Sequence, residues 1–354
     1  MYGGGEGQAA PSRRRAVARW LWRGASVLVF VLVLDYLVLP QLAGTERSLH
    51  LLRSANLSLL VAAVALEAAS LVSYSMMTRR MLPGGRAGLG WVLRADITGL
   101  GVSHALPGGA ATGNAMRFGL LHEGGATATD TAVGLTLEGV LSTSALAVLL
   151  WVMLVVSIPF YGPSAAYVTG AVIGALLMAG IALAVVGYSR REALAPGVAL
   201  RVIGRMPTRW RPWLERTFAA AGGQVRELLG NVPNLRAAGG WAGLNWLFDG
   251  ASLWCFLAAF GWLAHPVGLL VAYGGAVLIG MLPISPGGLG VVEALLIPAL
   301  VAMGAPQATA VLGVVSWRLF EYWAPIPLAG VTWVSLRLQV WFGQSRRGAP
   351  RHGH

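Results

Sequence analysis

The stretch Met281-Leu-Pro-Ile-Ser-Pro-Gly-Gly-Leu-Gly-Val-Val-Glu293 separates two apolar runs of the chain, residues 268–282 and residues 289–303. Its two prolines stop a helix by removing backbone donors, and its three glycines permit tight turns with positive φ. Each apolar run alone is too short to span a bilayer. Because a helix broken at membrane depth is tolerated only where it is buried in protein or lines a wet cavity, the stretch predicts an interrupted membrane helix. A plain loop between two membrane helices, with Glu293 as a helix cap, is the alternative.

The composition indicates an integral helical membrane protein. Of the 354 residues, 56% are hydrophobic and only 11% are charged, whereas soluble domains carry about a quarter charged residues. The net charge is +12, and the arginines lie almost wholly between the apolar runs. This pattern favours loops held on the cytoplasmic side near anionic lipid, and it argues against a nucleic-acid partner. The single cysteine and the scattered histidines predict no metal site, and no motif predicts a cofactor.

A second interruption lies in Ser103-His-Ala-Leu-Pro-Gly-Gly-Ala-Ala-Thr-Gly-Asn-Ala-Met-Arg117. It repeats the apolar approach and the Pro-Gly-Gly break, and the charge that follows is now Arg117 instead of Glu293. Two interrupted segments at corresponding places in two halves are typical of a transporter binding site. We therefore predict an all-α polytopic membrane protein with about six full spans and two broken or re-entrant elements, arranged as an inverted repeat.

Apolar runs and arginine clusters divide the chain into five parts. We predict a disordered basic tail, a first membrane half, a basic linker, a second membrane half and another basic tail, at residues 1–19, 20–188, 189–236, 237–340 and 341–354. The predicted full spans are residues 20–42, 56–77, 126–161, 165–188, 237–263 and 308–336. The linker is either an amphipathic helix on the inner membrane surface or a solvated connection. We expect the cytoplasmic membrane of a bacterium, with both termini in the cytoplasm.

Ionisable residues inside these runs are candidates for function, because an unpaired charge there costs at least ~2.5–3.5 kcal/mol on insertion scales. They are Glu67, Asp96, Arg117, Glu138, Asp249, Glu293, Arg318 and Glu321. Arg318 can pair with Glu321 three residues along one helix. Alternatively, Arg318 meets Glu293 or a ligand phosphate, to which a guanidinium binds bidentately.

Two groups of candidate site residues follow. The predicted substrate-binding residues are Gly108, Gly109, Arg117, Ser285, Gly287, Gly288 and Arg318, because Gly-rich turns with free N–H groups and a nearby guanidinium favour anions. The candidates for ion pairing or proton coupling are His104, Glu138, Asp249, Glu293 and Glu321. The structural alternatives are an Arg117 that reaches the inner interface, a His104 that is only hydrogen-bonded in place, and an Asp249 that forms a polar seam with Asn245. No nucleophile–base arrangement predicts catalysis.

The segment Pro286-Gly-Gly-Leu-Gly-Val-Val-Glu293, with Arg318 and Glu321 downstream, resembles the lysylphosphatidylglycerol synthase transmembrane-region family. The first interruption, with Glu138 after it, resembles the family's first-half motif, and the likeness runs over most of the chain. The chain departs from that motif at Asn114, where an acidic residue is common, and at Gly139, where an arginine is common. Because few residues follow position 340, we expect a stand-alone membrane domain without the aminoacyl-transfer domain.

The resemblance implies a flippase-like protein that moves an anionic lipid, or a lipid-linked intermediate of polyprenyl-phosphate type, between leaflets. In this hypothesis Arg117 and Arg318 receive the phosphate, and Glu138 and Glu293 pair with them in the empty state. The main alternative is a non-transporting scaffold or accessory subunit of an envelope glycosyltransferase or lipid-modifying system. A lipid-modifying enzyme and a small-solute transporter also compete. The expected partners are the lipid, an envelope-biosynthesis enzyme and a second copy of the chain.

Overall fold

The computed structural model describes five stretches of the chain, which are residues 54–82, 87–106, 108–161, 230–282 and 285–347. Within these stretches the regular structure is helical and no strand is present. The predicted N-terminal tail, the spans at 20–42 and 165–188, and most of the linker lie outside the described residues.

Nine α-helices follow one another in the described stretches. They are α1 (Leu57–Met81), α2 (Leu89–Ala105), α3 (Ala110–Glu123), α4 (Ala128–Tyr161), α5 (Val232–Ala259), α6 (Pro266–Gly280), α7 (Val291–Ala302), α8 (Gln307–Arg318) and α9 (Pro325–Arg347). A 3₁₀ turn at Pro286–Gly288 precedes α7, and a π-helical turn at Leu319–Trp323 joins α8 to α9. Both interrupted elements are therefore pairs of separate helices, α2 with α3 and α6 with α7.

The helix ends follow from local capping. Asn56 caps α1 by accepting a hydrogen bond from the backbone N–H of Leu59 at 3.3 Å. Asn231 caps α5 in the same way through the N–H of Asn234 at 3.1 Å. Because of this cap, α5 begins five residues before the predicted start at 237.

Two of the described helices are long and apolar enough to cross a membrane, Leu57–Met81 and Ala128–Pro159. The arms α6 and α7 are apolar but shorter, as the sequence predicted for a broken element. Helix α5 is long enough, but polar side chains such as Asn245 and Asp249 interrupt its apolar sequence. The six-span count and the inverted repeat stay predictions.

Helix packing forms two apolar cores. Helices α1 and α5 lie side by side, and the larger core surrounds α5 to α8, where the most buried large side chains include Phe256, Leu257, Tyr273, Leu300 and Trp317. Helix α2 packs against α3 and α9 around a smaller core of Val92, Leu120, Leu121 and Leu336. These two cores fix the positions of the helix ends at the breaks.

The glycines of the breaks adopt the predicted backbone geometry. Gly287 and Gly288 have φ values of 57° and 70°, and Gly108 and Gly109 have values of 93° and 50°. Residues with a Cβ rarely adopt this region. At Gly287 a Cβ would also collide with the Tyr322 ring, so this position needs glycine for both conformation and space.

The predicted span at 308–336 is not one regular helix. The backbone N–H of Ala324 donates to the carbonyl of Leu319 at 2.8 Å, five residues back, in a π-helical turn. Pro325 follows this turn and has no N–H to continue an α-helical ladder. π-helical turns occur frequently at functional sites, and this one contains Glu321.

Helix α2 approaches α9 so closely at Gly101 that a side chain does not fit. A Cβ at Gly101 would collide with the backbone carbonyl of Pro325 and with Ala329, and backbone cannot move aside cheaply. We expect Gly101→Ala to lower the free energy of unfolding by about 1–3 kcal/mol, as overpacking does. Thermal unfolding of the purified protein in detergent measures this effect. The control is Gly119→Ala in α3, where the space is open and alanine should stabilise the helix slightly; equal unfolding midpoints for the two variants would contradict the packing.

Candidate functional site

The first arginine centre lies where α3 crosses α2 and α4. The buried Arg117 donates from Nε and Nη2 to Asp96 Oδ1 at 2.9 and 2.8 Å, and from Nη2 to Glu138 Oε2 at 2.8 Å. Further acceptors of its N–H groups are Tyr74, Thr78 and Asn114. The guanidinium also lies over the Tyr74 ring, 5.1 Å from its centroid, in cation–π geometry.

Arg117 has acceptors for all five N–H groups of its guanidinium. An anion could bind it only by displacing one of these acceptors. When all three groups are ionised, the centre carries one excess negative charge. Arg117 is therefore held as a packed part of the bundle, and it does not reach the interface as a solvated arginine would.

Two features around Arg117 were not found by sequence reasoning. A Cβ at Gly99 of α2 would collide with the side chain of Arg117, so this glycine provides the space for the arginine. Tyr74 and Thr78 lie one turn apart on α1 and face the same guanidinium. The sequence features that could have identified them are a glycine inside a helix, for Gly99, and two polar residues at helical spacing, for Tyr74 and Thr78.

The second arginine centre lies beside the 3₁₀ turn. Arg318, at the end of α8, donates from Nε to Glu293 Oε1 at 2.6 Å and from Nη1 to Glu321 Oε2 at 2.6 Å. Its Nη2 donates to the carbonyl of Gly287 at 3.1 Å. The structure thus brings together the local pair with Glu321 and the long-range pair with Glu293, which the sequence left as alternatives.

Glu293 has two functions in this centre. Its Oε2 accepts the backbone N–H of Gly290 at 2.7 Å and so caps α7, while its Oε1 accepts from Arg318. The capping interpretation and the ion-pair interpretation both describe this residue. Since the cap fixes the carboxylate, it also fixes where the guanidinium of Arg318 must lie.

The second centre differs from the first because it has hydrogen-bond donors without acceptors and a partly exposed carboxylate. In the described residues, one N–H on each of Nη1 and Nη2 of Arg318 has no acceptor. The buried Oγ of Ser285, in the same break, has no hydrogen-bond partner there either. The side chain of Glu321 is 27% exposed, against 2% for that of Glu138 in the first centre. The second centre therefore has spare donors and an opening.

The end of α2 packs against both the π turn and the 3₁₀ turn of the second break. His104, at the end of α2, stacks on Tyr322 of the π turn with ring centroids 4.2 Å apart. The Tyr322 hydroxyl donates to the His104 carbonyl at 3.1 Å, and His104 Nδ1 lies 2.8 Å from the Tyr322 carbonyl. The guanidinium of Arg318 lies over the Tyr322 ring, 5.0 Å from its centroid. His104 is therefore hydrogen-bonded in place at the junction of the two breaks.

Other predicted residues lie apart from the arginine centres. Among the described contacts, none joins Gly108 or Gly109 directly to Arg117, and their shared role in anion binding stays a prediction. Asn245 forms a seam with Ser70 of α1 through its amide group, at 2.7 Å to the hydroxyl. Asp249 lies one turn further along α5 and accepts other donors, described below. No group of three or more metal-ligating side chains occurs in the described part of the chain.

These observations define the class of the protein. The described structure is all helical, and two of its helices are able to cross a bilayer. Two other helical elements are interrupted, and buried arginine–carboxylate centres lie in the same bundle. This combination defines an all-helical membrane domain. The chain belongs to the lysylphosphatidylglycerol synthase TM region family, whose model matches residues 19–329. The resemblance noted in the sequence is thereby confirmed over most of the chain, and the family indicates a membrane domain involved in lipid handling. Comparison with curated proteins found no match.

The first centre should be essential for stability. Removing Arg117 as Arg117→Met leaves two buried carboxylates without their cation, which costs roughly 3–5 kcal/mol. The matched control is Arg337→Met, because Arg337 pairs with Glu123 at 2.8 Å where both side chains are about two-fifths exposed and such pairs contribute roughly 0–1 kcal/mol. Thermal unfolding in detergent should show a large loss for the first variant and little for the second. Similar midpoints would contradict the role given to burial.

Proposed function

We propose that this protein moves an anionic lipid, or a lipid-linked phosphate, between the leaflets of the cytoplasmic membrane of a bacterium. Arg318 is the group that receives the phosphate. The observation that carries the proposal is the second arginine centre, with its two unused N–H groups and the unpartnered Ser285 hydroxyl at a helix break. Guanidinium N–H groups suit the oxygens of a phosphate, and Ser285 adds a hydroxyl with an unused hydrogen bond in the same break.

The carboxylates around Arg318 supply a way to bind and release that phosphate. With Glu293 and Glu321 bound, the guanidinium is neutralised without a ligand. A phosphate that takes the place of Glu321 keeps the guanidinium paired, because Glu293 remains held by Gly290. The partly exposed Glu321 can turn to the opening, where solvent stabilises its charge. This exchange avoids an unpaired buried charge in either state.

The surroundings of the second break suit a lipid better than a small hydrophilic anion. Exposed large apolar side chains lie on the chain segments that border both breaks, namely Leu106, Ile279, Met281, Leu282 and Leu319. A buried cationic centre bordered by exposed apolar side chains matches a molecule with a phosphate and hydrocarbon chains. Arg117 keeps its predicted role as a second phosphate ligand only if one of its present acceptors leaves it; otherwise it positions α3 next to the first break.

Leaflet exchange in liposomes tests this function. Fluorescent phosphatidylglycerol, a polyprenyl-phosphate analogue and zwitterionic phosphatidylcholine are compared, each with and without a pH gradient. We expect exchange of an anionic lipid above that of empty liposomes. Arg318→Lys keeps the charge but not the planar fork of donors, and the loss of a charge-assisted hydrogen bond predicts a fall of about tenfold or more.

Arg337→Lys is the matched control, since it makes the same change at a partly exposed arginine outside the site. Retained exchange in Arg318→Lys would remove Arg318 from the binding site. An absence of exchange for every lipid, with a folded wild-type protein, would overturn translocation and support the scaffold hypothesis, which co-purification of a stoichiometric enzyme partner would then test.

A further inference from the structure

A third polar cluster lies inside the bundle, apart from both arginine centres. Asp249 of α5 accepts the hydroxyl of Tyr273 at 2.6 Å on one oxygen and the indole N–H of Trp317 at 2.6 Å on the other. Glu67 of α1 lies next to it, and both carboxyl groups are almost fully buried, with exposures of 6% and 5%. These two residues stand on the helix pair α1 and α5, which pack against each other along their length.

The cluster contains buried polar atoms whose hydrogen bonds are incomplete. Oε2 of Glu67 has no hydrogen-bond partner among the described residues, and neither has the fully buried hydroxyl of Ser252. Ser252 lies on α5, close to Asp249, with its hydroxyl beside the Glu67 carboxyl. A charge in this apolar interior loses its solvation by water, so an ionised Glu67 is poorly accommodated here.

No free cation balances the two carboxyl groups within the described part of the chain. The charged and titratable groups that act on them from the neighbouring helices are Tyr273, Arg318 and Glu321. Arg318 is already bonded to Glu293 and Glu321, and Glu321 adds a further negative charge. Two adjacent carboxylates in an apolar interior do not both stay ionised, because they repel each other and lack solvation.

We propose that Glu67 and Asp249 form a proton-binding pair. Asp249 is the ionised member, since the donors from Tyr273 and Trp317 stabilise its charge. Glu67 carries the proton and donates a hydrogen bond to Asp249. The pair takes up one proton from water and returns it, with no other bond made or broken. A change of charge at the pair would also act on Glu321 and, through Glu321, on Arg318. This second step rests on the proposed function.

Infrared difference spectroscopy of the full chain in liposomes tests the pair directly, without transport. We expect the C=O stretching band of a protonated carboxyl group at neutral pH, which shifts in heavy water. Glu67→Gln should remove the component of this band that belongs to Glu67, whereas Glu123→Gln, whose carboxyl is exposed and lies outside the site, should leave the band unchanged. An unchanged band in Glu67→Gln would overturn the proposal.

Stability gives a second and independent readout. Because glutamine imitates the protonated carboxyl group, Glu67→Gln should unfold at the wild-type temperature or above, and a variant that does not fold would also overturn the proposal. Unfolding is compared in sodium and choline buffers. If sodium stabilises the wild-type protein but not Glu67→Gln, the pair binds Na⁺, and the proposal of a proton-binding pair is overturned.

The leaflet-exchange assay separates this inference from the proposed function. If the proton acts on Arg318 through Glu321, wild-type exchange changes with pH and exchange by Glu67→Gln does not. The same pH dependence in both would overturn the coupling to Arg318. If wild-type protein exchanges no lipid while the infrared band behaves as expected, the proposed function fails and the proton-binding pair stands.

Discussion

A buried guanidinium must be neutralised where water cannot solvate it, and this constraint organises the structure around the two helix breaks. Each arginine takes two carboxylates, Asp96 and Glu138 for Arg117 and Glu293 and Glu321 for Arg318. Each set of ligands comes from more than one helix, so the ion pairs fix the relative positions of those helices. Because desolvation is costly for every charge involved, neither centre tolerates the loss of one member easily.

The two centres satisfy this constraint in different ways. Arg117 is enclosed, has an acceptor for every donor and lies in a space that Gly99 provides. The Arg318 centre has spare donors, a partly exposed carboxylate and a glycine-rich turn against it. The enclosed centre suits a structural role, whereas the open one suits the exchange of a carboxylate for a ligand phosphate. His104 of α2 stacks on Tyr322 of the π turn, and this contact joins the end of α2 to the turn that carries Glu321.

The third polar cluster, around Glu67 and Asp249, is subject to the same cost of burying charge. The two arginine centres each carry an excess negative charge when fully ionised, and the Glu67–Asp249 pair adds more without a cation of its own. Because the pair has no guanidinium bonded to it, a proton on Glu67 is the way in which we propose its charge is reduced. Glu321 acts electrostatically on the pair and is bonded to Arg318, so it is the residue through which the proposed proton would affect the open centre.

The sequence by itself determined the helical membrane class, the two breaks and the positive-φ glycines, because hydropathy, proline and glycine act locally along the chain. It also identified the ionisable residues of both arginine centres, because charges stand out in apolar runs. Only the tertiary structure decided their partners: Tyr74 and Asp96 for Arg117, two glutamates for Arg318, and Glu67 for Asp249. Except for the local pair of Arg318 with Glu321, which a spacing of three residues already allowed, these contacts join different helices, and sequence spacing carries no information on which helix faces which. The π turn that contains Glu321 was likewise not predicted from the sequence.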